Sequence, residues 1–222
     1  MKGFLDTNKF RICKELEDNY QIILDDYNNF KFNIIENNLE DENWLMWKNA
    51  HEHSLEITKN FRKDLDWDQI SFKPYKKSHS CYGLILDEKS IWEGVLLSTK
   101  ANLNSQFLPE LKNTDICNEF FTNTSNFIKQ FDEVTSVMIA RFPSHRKIPL
   151  HRGYKEIIRV HMGLLVPDGD IGFGVGDEKK NWVNGECLAF SDFSQHYAWN
   201  NTEFDRINLI VDLDRRKVIG SQ

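Results

Sequence analysis

Four cationic or potentially cationic side chains lie close together in a stretch that otherwise has the composition of a buried strand. His151, Arg152, Arg159 and His161 fall within eleven residues. The residues around them are mostly aliphatic and include Ile157, Ile158, Val160, Met162, Leu164, Leu165 and Val166. Imidazole is a common ligand of transition metals, and a guanidinium group binds carboxylates through paired hydrogen bonds. The stretch therefore predicts a polar binding site built on an apolar strand.

The alternation of side chains along this strand separates the polar residues from the apolar ones. Residues two apart in a strand point to the same side of the sheet, so Arg159 and His161 share one face. The opposite face, predicted to be the packed one, carries Ile158, Val160, Met162 and Leu164. We expect the polar face to line the inside of an open barrel, where a charged ligand takes the place of water.

Short apolar runs separated by turn residues follow Phe131. They are VTSVMIARF, EIIRVHMGLLVP, IGFGVG, ECLAF, HYAWN and RINLIVDL, with PDGD, DEKKNWVNG and NNTEFD between some of them. Strands at such regular spacing indicate a sandwich or jelly roll and not alternating βαβ units. GFGVG lacks the spacing and the following helix of a nucleotide-binding loop, so it is interpreted as a strand or turn.

The first part of the chain has a different character. Residues 1 to about 75 are polar, with apolar residues at helical intervals, and predict helices with loops. SCYGLILD and IWEGVLLS predict two strands joined by a turn at DEKS. A later amphipathic helix is predicted from a stripe formed by Ile116, Phe120, Phe127 and Phe131. The predicted architecture is one domain over 1–222, with a mostly helical support and cap in 1–131 and a jelly-roll core in 132–214.

Composition excludes several classes of protein. The chain has 28 Lys and Arg against 34 Asp and Glu, with a net charge of -6, which argues against a basic surface for nucleic acid. Its four cysteines, Cys13, Cys81, Cys117 and Cys187, show no paired spacing, which favours a reducing, cytoplasmic setting. No run approaches the roughly 18 apolar residues of a spanning helix, so no membrane partner is expected.

Five ordered motifs lie between about Val137 and Asp212: HRG, RVHMGLLVP, WVNGECLAF, DFSQHYAWN and RINLIVD. Together they resemble the aspartyl/asparaginyl β-hydroxylase family of iron(II)- and 2-oxoglutarate-dependent oxygenases. The resemblance implies a mainly β fold, with a double-stranded β-helix (jelly roll, cupin-like) core flanked by α-helices. It also implies that His151 and His196 bind Fe(II), a metal that suits imidazole.

The same resemblance implies the roles of three further residues. Arg206 would bind the distal carboxylate of 2-oxoglutarate, and Arg159 and His161 would lie near the end that chelates iron. Most members of the wider superfamily have a carboxylate ligand at the position of Gly153. Members of this family are similar to the present chain in carrying glycine there. Arg152 receives no role.

The function implied is hydroxylation of an amino-acid-like or peptidyl substrate. The reaction would consume O2 and decarboxylate the co-substrate 2-oxoglutarate to succinate. Two alternatives stay open at this point: a halogenase that admits chloride beside Gly153, and a non-catalytic jelly roll that binds a carboxylate ligand or uses a metal structurally.

Several other residues have competing interpretations. Arg206 could instead pair with Asp205 or Asp212, and Asp192 could accept a hydrogen bond from His196 or simply end a strand. Trp182 is predicted to be part of the core. The other histidines, His51, His53, His79 and His145, are predicted to lie outside the metal site.

Overall fold

The computed structural model of the protein describes residues 3–36, 70–71, 81–86, 89–101, 107–153 and 156–219. A 3₁₀ helix, Thr7–Lys9, precedes α1 (Arg11–Asp18), α2 (Tyr20–Phe30) and a π-helical turn, Lys31–Glu36. Four strands follow: β1 (Ile70–Ser71), β2 (Cys81–Leu86), β3 (Lys89–Ala101) and β4 (Phe107–Asn113). Next come α3 (Asp115–Phe120), α4 (Thr122–Ile128), β5 (Val134–Phe142), β6 (Arg146–His151) and β7 (Ile157–Leu165). The last elements are β8 (Ile171–Val175), β9 (Glu178–Lys180), β10 (Cys187–Ser191), β11 (His196–Asn200), β12 (Arg206–Asp214) and α5 (Arg215–Ile219).

The strands form two antiparallel sheets. The larger sheet has the order β1-β2-β3-β5-β12-β7-β10, with β4 also paired to β3, and the smaller has the order β6-β11-β8-β9. Strands β7, β10 and β12 of the large sheet therefore alternate along the chain with β8 and β11 of the small one. The predicted mainly β fold, a jelly roll with helices beside it, is confirmed.

The main core lies between the large sheet and the helices. One face of β7 and of β12 is buried there, including Val160, Met162 and Leu209. Helices α1 and α2 pack against this layer through Ile12 and Ile23, among others. The alternation predicted for β7 is confirmed, because its Ile158, Val160, Met162 and Leu164 side is buried in this core.

A smaller and more aromatic core lies between the two sheets. Its buried members are Phe142, Ile171, Phe173, Val175, Trp182, Phe190 and Ala198. Val175 and Phe173 come from β8, so the GFGVG segment is a strand, as interpreted from the sequence. The polar face of β7 points toward this second core: the ring of His161 lies 5.3 Å from that of Phe173, centroid to centroid.

The sequence predicted one continuous amphipathic helix after β4, and this prediction is wrong because the segment forms two helices. Ile116 and Phe120 lie in α3 and Phe127 lies in α4, whereas Phe131 follows the end of α4. The helices are separated at Phe121, which leaves helical geometry at φ -116° and ψ 32°. The break brings both Phe120 and Phe121 into contact with Phe30, at centroid distances of 5.7 and 5.6 Å. Aromatic packing against α2 therefore accompanies the interruption.

Other predictions of secondary structure have mixed outcomes. Strands β2 and β3 pair in antiparallel fashion and confirm the predicted hairpin. The strand that ends at His151 was not identified over its length, since RKIPLH has three basic side chains and a proline. Much of the predicted helical half, including residues 37–69, lies outside the described residues. No helix in the described ranges has the length and apolar character needed to cross a membrane.

Candidate active site

His151 and His196 lie side by side although 45 positions separate them in the sequence. His151 ends β6 and His196 begins β11, and the two are directly paired in the small sheet. Their ring centroids are 4.1 Å apart, with an angle of 57° between the ring planes. The pairing of these two strands thus supplies two adjacent imidazoles, and His196 is buried.

Hydrogen bonds to the backbone set the protonation of both rings. Nδ1 of His151 lies 2.8 Å from the carbonyl oxygen of Pro149, and Nδ1 of His196 lies 2.8 Å from that of Ser194. A carbonyl oxygen only accepts hydrogen bonds, so each Nδ1 must carry the proton in these contacts. Each Nε2 then has the lone pair that a metal ion requires. The two residues therefore fit a metal bound through Nε2.

A carboxylate occupies the space beside Gly153. A Cβ built on this glycine would lie 1.6 Å from Oδ2 of Asp192, far inside van der Waals contact. The backbone N–H of Gly153 also donates to the carbonyl of Asp192, at 2.7 Å. Within the described ranges, no group of three His, Cys, Asp or Glu side chains is arranged to hold a metal ion. His151 and His196 together offer two imidazole nitrogens, a donor type that suits iron.

Arg159 connects the large sheet to Asp192. Its Nε and Nη2 donate to the two oxygens of Asp212 at 2.7 and 3.0 Å, and its Nη1 donates to Oδ1 of Asp192 at 3.0 Å. Ser136 also donates to Asp212, at 3.1 Å. Arg159 therefore lies at the Gly153 end of the site. The sequence did not identify Asp212 or Asp192 as partners of Arg159, since they lie 53 and 33 positions away.

Within the part of the chain that the structure describes, three buried nitrogens of His161 and Arg206 have no hydrogen-bond partner. They are both ring nitrogens of His161 and the Nε of Arg206. Burial lowers the pKa of His161 well below its usual value, and the positive charges of Arg206 and Arg159 lower it further. Burial also lowers the pKa of Arg206, to about 9. A buried donor without an acceptor is costly, so this pair is suited to an anionic ligand.

The competing interpretation, in which Arg206 forms an ion pair with Asp205 or Asp212, does not hold among the described residues. Asp205 accepts hydrogen bonds from Nε of Arg141 at 2.7 Å and from the backbone N–H of Ser144 at 2.8 Å. Asp212 is bound to Arg159 in the way described above. Arg206 instead contacts an aromatic ring: its Cζ atom lies 4.3 Å from the centroid of the Trp182 ring. Trp182 is buried, as predicted.

The remaining histidines divide into one that is described and three that are not. His145 is exposed, and its Nε2 lies 3.1 Å from Oε1 of Glu203. It lies on the turn between β5 and β6 with a positive φ of 52°. His51, His53 and His79 lie outside the described residues. Arg152 is exposed on the segment that follows β6.

Comparison with known proteins assigns the chain to a family of hydroxylases. The family model for aspartyl/asparaginyl beta-hydroxylase matches residues 17–216. The chain therefore belongs to this family, and the resemblance found in its motifs is confirmed. The match includes α2, α3 and α4, the two sheets and both histidines of the candidate site.

Individual relatives match shorter segments. An ornithine lipid ester-linked acyl 2-hydroxylase from Rhizobium tropici is 33% identical over 93 residues, covering 40% of this chain and 33% of the relative. The human aspartyl/asparaginyl beta-hydroxylase is 32% identical over 56 residues, covering 25% of this chain and 7% of the relative. The aligned segments thus span a third or less of these relatives' lengths.

Solved structures give distant matches. A protein described as a predicted oxalate decarboxylase from Thermotoga maritima has a TM-score of 0.36 at 13% identity, covering 66% of this chain and 94% of that one. An RmlC-like cupin protein from Desulfovibrio desulfuricans has a TM-score of 0.30 at 19% identity, covering 37% of this chain and 74% of that one.

Proposed function

We propose that this protein is an iron(II)- and 2-oxoglutarate-dependent hydroxylase of an amino-acid-like or peptidyl substrate. Membership of the hydroxylase family supports this function. The observation that carries it is a combination of the paired imidazoles of His151 and His196 with buried nitrogens of His161 and Arg206 that have no hydrogen-bond partner among the described residues. The reaction would convert 2-oxoglutarate and O2 to succinate and carbon dioxide while the substrate gains a hydroxyl group.

In this proposal, His151 and His196 hold iron through Nε2. Bound iron would supply the oxidation chemistry that couples decarboxylation of 2-oxoglutarate to hydroxylation of a C–H bond. The protein fixes both rings before metal arrives, because each Nδ1 is already bonded to a backbone carbonyl. Preset ligand orientation of this kind raises affinity for the metal.

The co-substrate would lie along the polar face of β7 and β12. Arg206 would bind its distal carboxylate, whereas His161 and Arg159 would lie nearer the iron. A dianion in this position would provide acceptors for buried donors that have none among the described residues. Phe142, Phe173 and Phe190, among other apolar side chains, surround these groups and exclude water, which strengthens the electrostatic attraction.

The space near Gly153 favours hydroxylation over halogenation. Chloride would have to bind beside Gly153, where Oδ2 of Asp192 fills the adjacent space. A halide is therefore sterically disfavoured at this position.

The relatives suggest which substrates to test first. One is named for an acyl group of an ornithine lipid and the other for aspartyl and asparaginyl residues. Free amino acids and peptides with aspartyl or asparaginyl residues are the primary candidates. Amino-acid-containing lipids form a second class for the same screen, in detergent-dispersed form.

The decisive experiment has two stages. Anaerobic addition of iron(II) and 2-oxoglutarate should produce the visible charge-transfer absorption of an iron chelate in the wild type. Neither His151→Ala nor His196→Ala should show it at comparable iron concentration, whereas His145→Ala, an exposed histidine, should match the wild type. Absence of the band in the wild type would favour a non-catalytic jelly roll.

The second stage follows turnover. Candidate substrates should stimulate succinate formation, and the product should gain the mass of one oxygen atom. A product that gains chlorine when chloride is present would identify a halogenase instead. Wild-type turnover by either histidine variant would refute the assignment of His151 and His196 as iron ligands.

A further inference from the structure

We infer that Trp182 and Asn208 are positioning residues that hold the guanidinium of Arg206 in place for a carboxylate ligand without neutralising its charge. The inference rests on the proposed function, because it takes the ligand to be the distal carboxylate of 2-oxoglutarate. Sequence reasoning placed Trp182 in the core and gave no role to Asn208. Their contacts with Arg206 indicate a more specific one.

The first contact is between a ring face and a cation. The Cζ atom of Arg206 lies 4.3 Å from the centroid of the Trp182 ring and 5.2 Å from that of Phe142. Phe173 stacks on Trp182 at 5.2 Å with an interplanar angle of 23°. The indole is therefore in contact with a phenyl ring as well as with the guanidinium. Such cation–π contacts are strongest when they are shielded from water, and Trp182 and Arg206 are both buried.

The second contact is a shared amide oxygen. In the orientation that satisfies its neighbours, Oδ1 of Asn208 accepts from Nε1 of Trp182 at 3.0 Å and from Nη1 of Arg206 at 3.2 Å. The amide nitrogen then donates to the backbone carbonyl of Ile207, at 3.0 Å. Asn208 is fully buried, so the side chain links the indole to the guanidinium without solvent.

These neighbours have one property in common: none of them carries a negative charge. A carboxylate at the position of Asn208 would form an ion pair with Arg206 and compete with an incoming ligand. An amide oxygen and aromatic faces restrict the guanidinium but leave its full charge available. Nε of Arg206, which has no partner among the described residues, remains available as a donor.

The test compares substitutions that keep shape but change one property. Trp182→Phe retains an aromatic face and removes the N–H, whereas Trp182→Leu removes both. Asn208→Asp is nearly isosteric and introduces a charge beside Arg206. Trp199→Phe and Asn201→Asp, on the outer side of the small sheet and its following loop, are matched controls. The readout is the dissociation constant of 2-oxoglutarate, measured by calorimetry on iron(II)-loaded protein without oxygen, together with kcat and KM.

We expect graded losses of affinity. Trp182→Phe should weaken 2-oxoglutarate binding by up to about tenfold, the effect of one hydrogen bond, and Trp182→Leu by about 30-fold. Asn208→Asp should weaken it by about 100-fold, because the new carboxylate would pair with Arg206 and compete with the ligand for its charge. In each case KM for 2-oxoglutarate should rise far more than kcat falls, and both controls should bind like the wild type.

The outcomes separate the inference from the proposed function. If the wild type does not bind 2-oxoglutarate, the proposed function fails and the inference fails with it. If the wild type binds, but folded Trp182→Phe, Trp182→Leu and Asn208→Asp bind equally well, only the inference is overturned. Lower thermal stability with an unchanged dissociation constant would likewise show a purely structural role. Should Asn208→Asp fail to fold, the two Trp182 variants decide the question by themselves.

Discussion

The two faces of strand β12 differ sharply although they belong to the same nine residues. One face points into the main core and carries only apolar side chains: Ile207, Leu209, Val211 and Leu213. The other carries Arg206, Asn208 and Asp212, all buried. Strand β7 repeats this division, with Val160 on one side and His161 on the other. The faces of both strands that meet the helices are packed for stability, whereas those that meet the second sheet contain groups that are costly to bury.

The free-energy cost of burying the Arg206 guanidinium shows why the polar face depends on the stability that the apolar faces provide. A guanidinium whose pKa falls from 12.5 to about 9 on burial is destabilised by roughly 5 kcal/mol, at about 1.4 kcal/mol per unit. A whole domain has a net stability of only about 5 to 15 kcal/mol. The apolar faces must therefore offset a charge retained for binding. This contrast can be tested by changing one face at a time.

The largest effect is expected on the polar face, from Arg206→Met. Without ligand, this variant should be more stable than the wild type by about 1 to 4 kcal/mol, because a buried charge is replaced by an apolar chain. Its affinity for 2-oxoglutarate should fall by roughly 2 to 5 kcal/mol. Chemical denaturation and calorimetry measure the two quantities. Arg141→Met, which removes a donor to Asp205, is the control and should leave affinity unchanged. If Arg206→Met were less stable than the wild type and bound 2-oxoglutarate normally, the polar face would not be specialised for binding.

The apolar face should respond in the opposite way. Leu209→Ala removes a fully buried side chain from the main core and should lower the free energy of unfolding by about 2 to 5 kcal/mol. The folded fraction should bind 2-oxoglutarate like the wild type, since Leu209 points away from the site. A large loss of affinity in protein shown to be folded would mean that the two faces are coupled.

A third prediction concerns the boundary of the polar region, at Gly153. In Gly153→Ala, the new Cβ meets the carboxylate of Asp192, and the displaced carboxylate should disturb the segment that follows His151. We expect a 10- to 100-fold loss of iron affinity, the range typical of residues that support metal ligands. In an Asp192→Ala background, the same Gly153→Ala change should have a much smaller additional effect. Additive losses would show that the two positions act independently.

The smallest effect is a pH dependence caused by His161. Burial keeps the pKa of His161 well below its usual value of 6.5 in the folded protein, whereas the unfolded chain takes up a proton near that value. The unfolded state is therefore favoured as pH falls below about 6.5, and His161 contributes up to about 1.4 kcal/mol per pH unit to this loss. His161→Phe should make the pH dependence shallower. An unchanged slope in His161→Phe would show that His161 does not titrate in this way.

Several parts of the fold and site followed from local sequence patterns. The alternation of β7 predicted which of its residues are packed and that Arg159 and His161 share the other face. Turn residues between apolar runs predicted the jelly-roll strands after Phe131. Family motifs singled out His151 and His196, which the structure places 4.1 Å apart, centroid to centroid. These features depend on neighbouring residues or on ordered motifs, both of which are visible in a single chain.

Other features depend on contacts that no local pattern encodes. The break at Phe121 accompanies aromatic packing against α2, so periodicity alone predicted one helix where there are two. Strand β6 has a proline and basic side chains, and it is recognisable as a strand only from its pairing with β11. The partners of Arg159 also come from distant positions on β12 and the turn after β10.

The sequence by itself determined which side chains are available and which face of each strand they occupy, because side-chain alternation is a local property of an extended backbone. Only the tertiary structure decided which charges are compensated. Arg159 meets Asp212 and Asp192, whereas Arg206, on a strand of similar composition, meets Trp182, Phe142 and an amide. That difference arises from the register and packing of elements far apart in the chain, and it distinguishes an arginine already bound to two carboxylates from one suited to bind an anionic ligand.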